Sequence, residues 1–128
     1  MTTIAFRLQS LLPTPNRWMR MHWAERGRYC RNLAWEVCAS IIGPVPSDPI
    51  PAVRVTVVRH GLREPDADAL AGCAKPILDV LQPASKRHPY GLGLIAGDDR
   101  AHCELVARFV KVRHRTDQCT TVVLEPIP

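Results

Sequence analysis

AVRVTVVRHGLREPDADALAGCAKPILDVL, residues 52–81, changes its hydrophobic period partway along. Val53, Val55 and Val57 alternate with Arg54 and Thr56, the period of two that turns one face of a strand to a core and the other to water. A strand is therefore expected at 52–59. After GLREP the segment DADALAGCAKPILDVL reads as helix, with Gly72 and Pro76 predicting a kink or a late start.

Upstream, PVPSDPIP (44–51) holds four prolines and reads as a stiff connector. Before it, Trp23, Tyr29, Leu33, Ala34, Val37, Cys38 and Ile41 approximate helical spacing, so one amphipathic helix is expected from about 22 to 42, stopped at Gly43-Pro44. Residues 3–9, TIAFRLQ, alternate as a strand that ends at the prolines of LLPTPN. Downstream, QPASKRHPYGLG (82–93) reads as a surface loop. Residues 102–113 and 119–125 read as strands joined by a polar turn at HRTDQ; the first fits helix equally by propensity, and Val106, Val110 and Val112 with Phe109 favour strand. The order β-α-β-α-β-β predicts a single α+β domain, a mixed sheet with helices packed on it.

The chain has 128 residues, of which 46% are hydrophobic and 23% charged, the composition of one folded domain. Its net charge of +5 favours a polyanionic partner, nucleic acid first. No apolar run approaches a membrane span and no secretory leader is read, so a cytoplasmic location without membrane contact is expected. The five cysteines are odd in number and lack any C-x-x-C pair, which disfavours a disulfide framework and structural zinc and favours reduced thiols.

Asp66 and Asp68 lie two apart in extended backbone after the 52–59 strand, so both carboxylates project to one side. Asp98-Asp99, in GLIAGDDRAH before the next strand, is placed where a loop could bring a third carboxylate to the same sheet end. Three converging carboxylates make a hard-oxygen site suited to Mg2+ or Mn2+, and such a site suits phosphodiester hydrolysis. Lys75 shares the helix face of Asp68 if the helix is continuous, and Asp79 can hold it by an i,i+4 pair. The same residues have plainer uses: an Asp opening a helix is commonly an N-cap, Asp-Asp before a strand is commonly a solvated turn, and Lys75 with Asp79 can be a surface ion pair.

The run REPDADALAGCAKPILDVL followed by GLIAGDDR resembles the D-x-D-N…K-x-x-x-D…G-(I/L/W)-x-x-D-D pattern of the RusA family of Holliday-junction resolvases, and LPTPNRWMR resembles that family's proline-rich segment. The resemblance spans about residue 4 to 125. It implies a magnesium-dependent endodeoxyribonuclease that nicks four-way junctions in recombination and repair, acting as a homodimer. It also implies Asp66, Asp68 and Asp99 as metal ligands, Lys75 as catalytic lysine, and Asp79 and Asp98 as acidic neighbours. Two positions depart from the pattern: Ala69 stands at the usual Asn, and extra residues separate Asp68 from Lys75, as in phage-like branches.

Arg17, Arg20, Arg26, Arg28 and Arg31 interleave with Trp18, Trp23 and Tyr29, a mixture suited to phosphate contacts and base stacking. Trp23 and Tyr29 are nonetheless expected in the core. Lys111 and Arg113, with His114 and Arg115, form a second basic group at the expected last hairpin. Two rival readings are a non-catalytic DNA-binding module that keeps the fold, with Ala69 as a sign of a decayed site, and a protein-interaction domain whose basic charge is incidental.

Overall fold

In a computed structural model, residues 3–128 are described. The chain runs through β1 (Ile4–Leu8), α1 (Pro15–Arg20), α2 (Trp23–Ser40), β2 (Val53–Gly61), α3 (Ala67–Gly72), α4 (Lys75–Leu81), β3 (Cys103–Lys111), a single 3-10 turn at Arg115–Asp117, and β4 (Cys119–Pro126). The four strands form one mixed sheet in the order β1-β4-β2-β3. The architecture is α+β with helices on one face of the sheet, as the hydrophobic periods predict.

That face is built by alternation. Ile4, Phe6 and Leu8 of β1, Val53, Val55 and Val57 of β2, and Val122 and Leu124 of β4 are all buried. They share a cluster with Leu33, Ala34 and Val37 of α2 and with Ile77, Leu78, Val80 and Leu81 of α4. The other parity, including Arg7, Arg54 and Glu125, is exposed.

Three features depart from the sequence reading. First, a short helix, α1, lies in the stretch read as proline punctuation; Pro15 opens it, as a residue without an N–H tolerates the first helical turn. Second, the helix over 66–81 is broken at Cys73-Ala74, so Asp68 and Lys75 belong to different helices. Gly72 packs against α1 so closely that a Cβ there would meet Pro15 Cγ at 2.4 Å. Pro76 lacks the amide that would otherwise have to bond back across the break.

Third, the last two strands are not a hairpin. β3 runs parallel to β2, with Val53 opposite Cys103 and Gly61 opposite Lys111, whereas β4 lies between β1 and β2 and is antiparallel to both. The buried alternation of Thr120, Val122 and Leu124 suits β4 to the sheet centre, while the half-exposed β3 suits the rim. The 112–118 connection crosses the end of β2, where Val112 N–H donates to the Gly61 carbonyl at 2.9 Å. α3 and α4 form the crossover that a parallel β2–β3 pair requires.

Candidate functional site

α4 begins at Lys75, and its first turn puts the ammonium over Asp79, one turn further on. Lys75 Nζ donates to Asp79 Oδ1 at 2.9 Å, and the carboxylate is buried while the lysine is half-exposed. Asp98, arriving on the loop before β3, brings Oδ2 to 3.8 Å from the same nitrogen. On the other side of Asp79, His88 Nε2 lies 3.9 Å from Oδ1, and His88 Nδ1 is 2.7 Å from the Tyr90 hydroxyl. The Tyr90 proton is held well above the ordinary tyrosine range, first by burial and then by its hydrogen bond with Cys30.

Lys75, Asp79, Asp98 and His88 line the floor of an open groove of about 720 Å³. Its walls come from α2, through Arg26, Gly27 and Arg31, and from the 82–93 loop, through Lys86, Arg87 and Tyr90. Trp18 and Trp23 also line it. Five Lys and Arg side chains thus face two carboxylates, a net positive cleft with aromatic surface beside it. The loop is fixed across its neck: Leu92 N–H donates to the Val80 carbonyl and Gly93 N–H to that of Gln82. A Cβ on Gly91 would sit 2.5 Å from the Gln82 oxygen, so only glycine lets the chain close there.

The arginine-rich segment divides. Arg26 and Arg31 line the groove, and the Arg26 guanidinium also lies over the Trp18 ring at 6.0 Å. Arg17, Arg20 and Arg28 are exposed but do not line it. Lys111 and Arg113 are exposed at the far end of β3 and just beyond it, outside the groove. Tyr29 is half-buried, edge-to-face with Trp18 at 5.7 Å, and burial, with the nearby Cys30 and Glu36, pushes its hydroxyl up to about 12.

Trp23 corrects the expectation of a core residue. At the first position of α2 it is 74% exposed, and it is Trp18, edge-to-face with Tyr29, that packs against the core cluster instead. On sequence alone Lys86, Arg87 and His88 stay undecided between loop surface and DNA contact, and Tyr90 has no role. The density of basic and aromatic residues in KRHPY is the signal that could have attached them to a site.

The structure does not bring Asp66, Asp68 and Asp99 together. Asp66 is the N-cap of α3, its Oδ1 accepting from Ala69 N–H at 2.8 Å, and Asp68 is exposed in the first turn. Asp99 closes the turn into β3: its carboxylate pairs with the His102 ring at 2.5 Å, and its carbonyl accepts from Cys103 N–H. The hydrogen bond from His102 holds the Asp99 carboxyl below the usual carboxylate range. Among the described residues no three Asp, Glu, His or Cys side chains gather as a cation site requires. The parallel β2–β3 register is the reason: Asp66 and Asp68 leave the C-terminal end of β2, Asp98 and Asp99 enter the N-terminal end of β3, and those ends are about 26 Å apart along nine residues of strand. The crossover returns Lys75, and not Asp66 or Asp68, to Asp98.

No protein-family model and no curated protein matches this chain. None of the described helices is long and apolar enough to cross a membrane.

Proposed function

We propose that the chain is an endodeoxyribonuclease that nicks branched DNA, a Holliday-junction resolvase of the RusA kind acting in recombination and repair. The observation that carries this reading is the groove. It places Lys75, buried Asp79 and Asp98 at the floor of a basic cleft flanked by Trp18 and Trp23, the combination that tracks a phosphate backbone and stacks on unpaired bases. The motif resemblance supplies the reaction class, the homodimer and the Mg2+ requirement, with Mn2+ as substitute. Five free thiols accord with a reducing cytoplasm.

The cation of this reading activates water and neutralises charge on phosphorus oxygens when bound. Asp66, Asp68 and Asp99, its expected ligands, do not fit one ion in the arrangement described, and the chain's own contribution is electrostatic. Arg26, Arg31, Lys86 and Arg87 hold the backbone, and Lys75, pinned by Asp79, presents its ammonium to a phosphoryl oxygen where negative charge develops. A second reading, a structure-selective DNA-binding module without cleavage, is favoured by the separation of those three aspartates.

The test is a four-way junction incubated with the protein in Mg2+ and in EDTA, beside a binding titration. Symmetric nicks that require Mg2+ and are lost in Lys75→Gln, with binding kept, support the nuclease. Binding without nicks supports the module. Neither binding nor nicks refutes both.

A further inference from the structure

β3 forms one rim of the sheet, and among the described residues no backbone group pairs with its outer edge beyond Cys103. Val53 N–H donates to the His102 carbonyl and Val112 N–H to that of Gly61, which identifies the even-numbered residues of this stretch as those bonded to β2. Both backbone polar groups of a strand residue point to the same side, so Leu105, Ala107 and Phe109 turn theirs outward. Rim strands are normally short, bulged, interrupted by proline or otherwise covered. This one runs nine residues without proline, and Val110 on it is 45% exposed.

We infer that a second copy of this chain pairs antiparallel with β3 about a two-fold axis at Val106. The charges select that register. Glu104 and Arg108 stand two residues either side of Val106, on the sheet face that carries no helices, so the axis sets each copy's Glu104 opposite the other's Arg108. Moving the axis to Leu105 sets Glu104 opposite Val106, and moving it to Ala107 sets Glu104 opposite Val110; either shift leaves the carboxylate unanswered. Leu105 and Ala107 then exchange backbone hydrogen bonds, which leaves the Glu104–Arg108 pairs at the non-hydrogen-bonded positions, where side chains approach most closely. Glu104 is held by Arg54 through Oε2 at 3.2 Å, with Oε1 left for the second copy's arginine. The two sheets become one of eight strands, in which both β3 rims are covered and a β1 strand stands at each outer edge.

This pairing gives the proposed homodimer its surface. It rests on that reading for the number of copies and not for nuclease activity. Sedimentation of the wild type, Glu104→Arg, Arg108→Glu and the double exchange tests it. The wild type and the double exchange should be dimers, and each single variant should dissociate roughly tenfold or more readily, since two opposite-charge pairs become like-charge pairs. Amide exchange at Leu105, Ala107 and Phe109 should slow on dimerisation, while the amides of Val106 and Arg108, bonded to β2, are protected in either state. A monomeric wild type overturns both the pairing and the homodimer. A dimer indifferent to both charge reversals, with fast exchange at Leu105, Ala107 and Phe109, overturns the pairing alone.

Discussion

At the scale of single residues, the groove floor is a buried carboxylate answered by one close cation. Lys75→Met would strand Asp79 with only His88, 3.9 Å away, beside it. The expected cost is about 1–3 kcal/mol, the penalty for an unsatisfied buried polar group, read as a lower urea midpoint. Adding Asp79→Asn should recover part of that loss, and a double variant no more stable than the lysine variant would show that the pair is not coupled. The Lys75–Asp79 pair was legible in the sequence because i,i+4 spacing fixes it locally. The exposure of Trp23 was not, since helical period identifies a face but not what an adjoining helix has already covered. Trp23→Ala should accordingly leave the melting temperature nearly unchanged and weaken binding to unpaired DNA by about 1–3 kcal/mol, the value of one stacked base. Unaltered affinity in a fluorescence titration would remove that ring from the interface.

At the scale of elements, periodicity located every strand to within about two residues, and it placed α2 correctly because one apolar stripe decides it. It missed α1, whose six residues include no buried side chain and so leave no hydrophobic signature. It also could not decide between a kink and a break over 66–81, because the break depends on α1 pressing on Gly72 from elsewhere in the chain. Gly72→Ala tests that contact: a methyl 2.4 Å from the Pro15 ring must push α1 away, at a cost of about 1–3 kcal/mol, although alanine is the better helix former. Equal or higher stability by thermal denaturation would mean that α1 yields freely. The carboxylate site was half legible for the same reason. Sequence proximity correctly tied Lys75 to Asp79, but whether two loops meet is settled by strand direction, and parallel pairing of β2 with β3 sends the two acidic pairs to opposite ends.

At the scale of the whole molecule, the chain's two tyrosines report on the integrity of the packing between α2 and the 82–93 loop. Tyr29 is pushed to about 12 and Tyr90 is also raised, in both cases chiefly by burial. A raised phenol pKa means that the fold favours the neutral form. The associated stability is complete below the unfolded value of about 10 and is lost as pH climbs through the folded one. Phenolate absorbance should therefore stay low at pH 10 and rise together with loss of far-ultraviolet ellipticity. Development of a quarter of the full signal at pH 10 in a folded protein would place one ring in water.

The position of β4 carries a temporal consequence. Strands β1 and β2, separated by forty-four residues, never touch each other and are joined only through a segment made after both. On the ribosome, the apolar faces of Ile4, Phe6, Val55 and Val57 must wait until residues 119–126 have cleared the exit tunnel before they share one sheet. The growing chain can form α2 and a β2-α-β3 unit early, but it remains open along the flank that β4 will fill. The sheet is thus completed only when β4 emerges, and the nascent intermediate that lacks it is the species that a chaperone would meet.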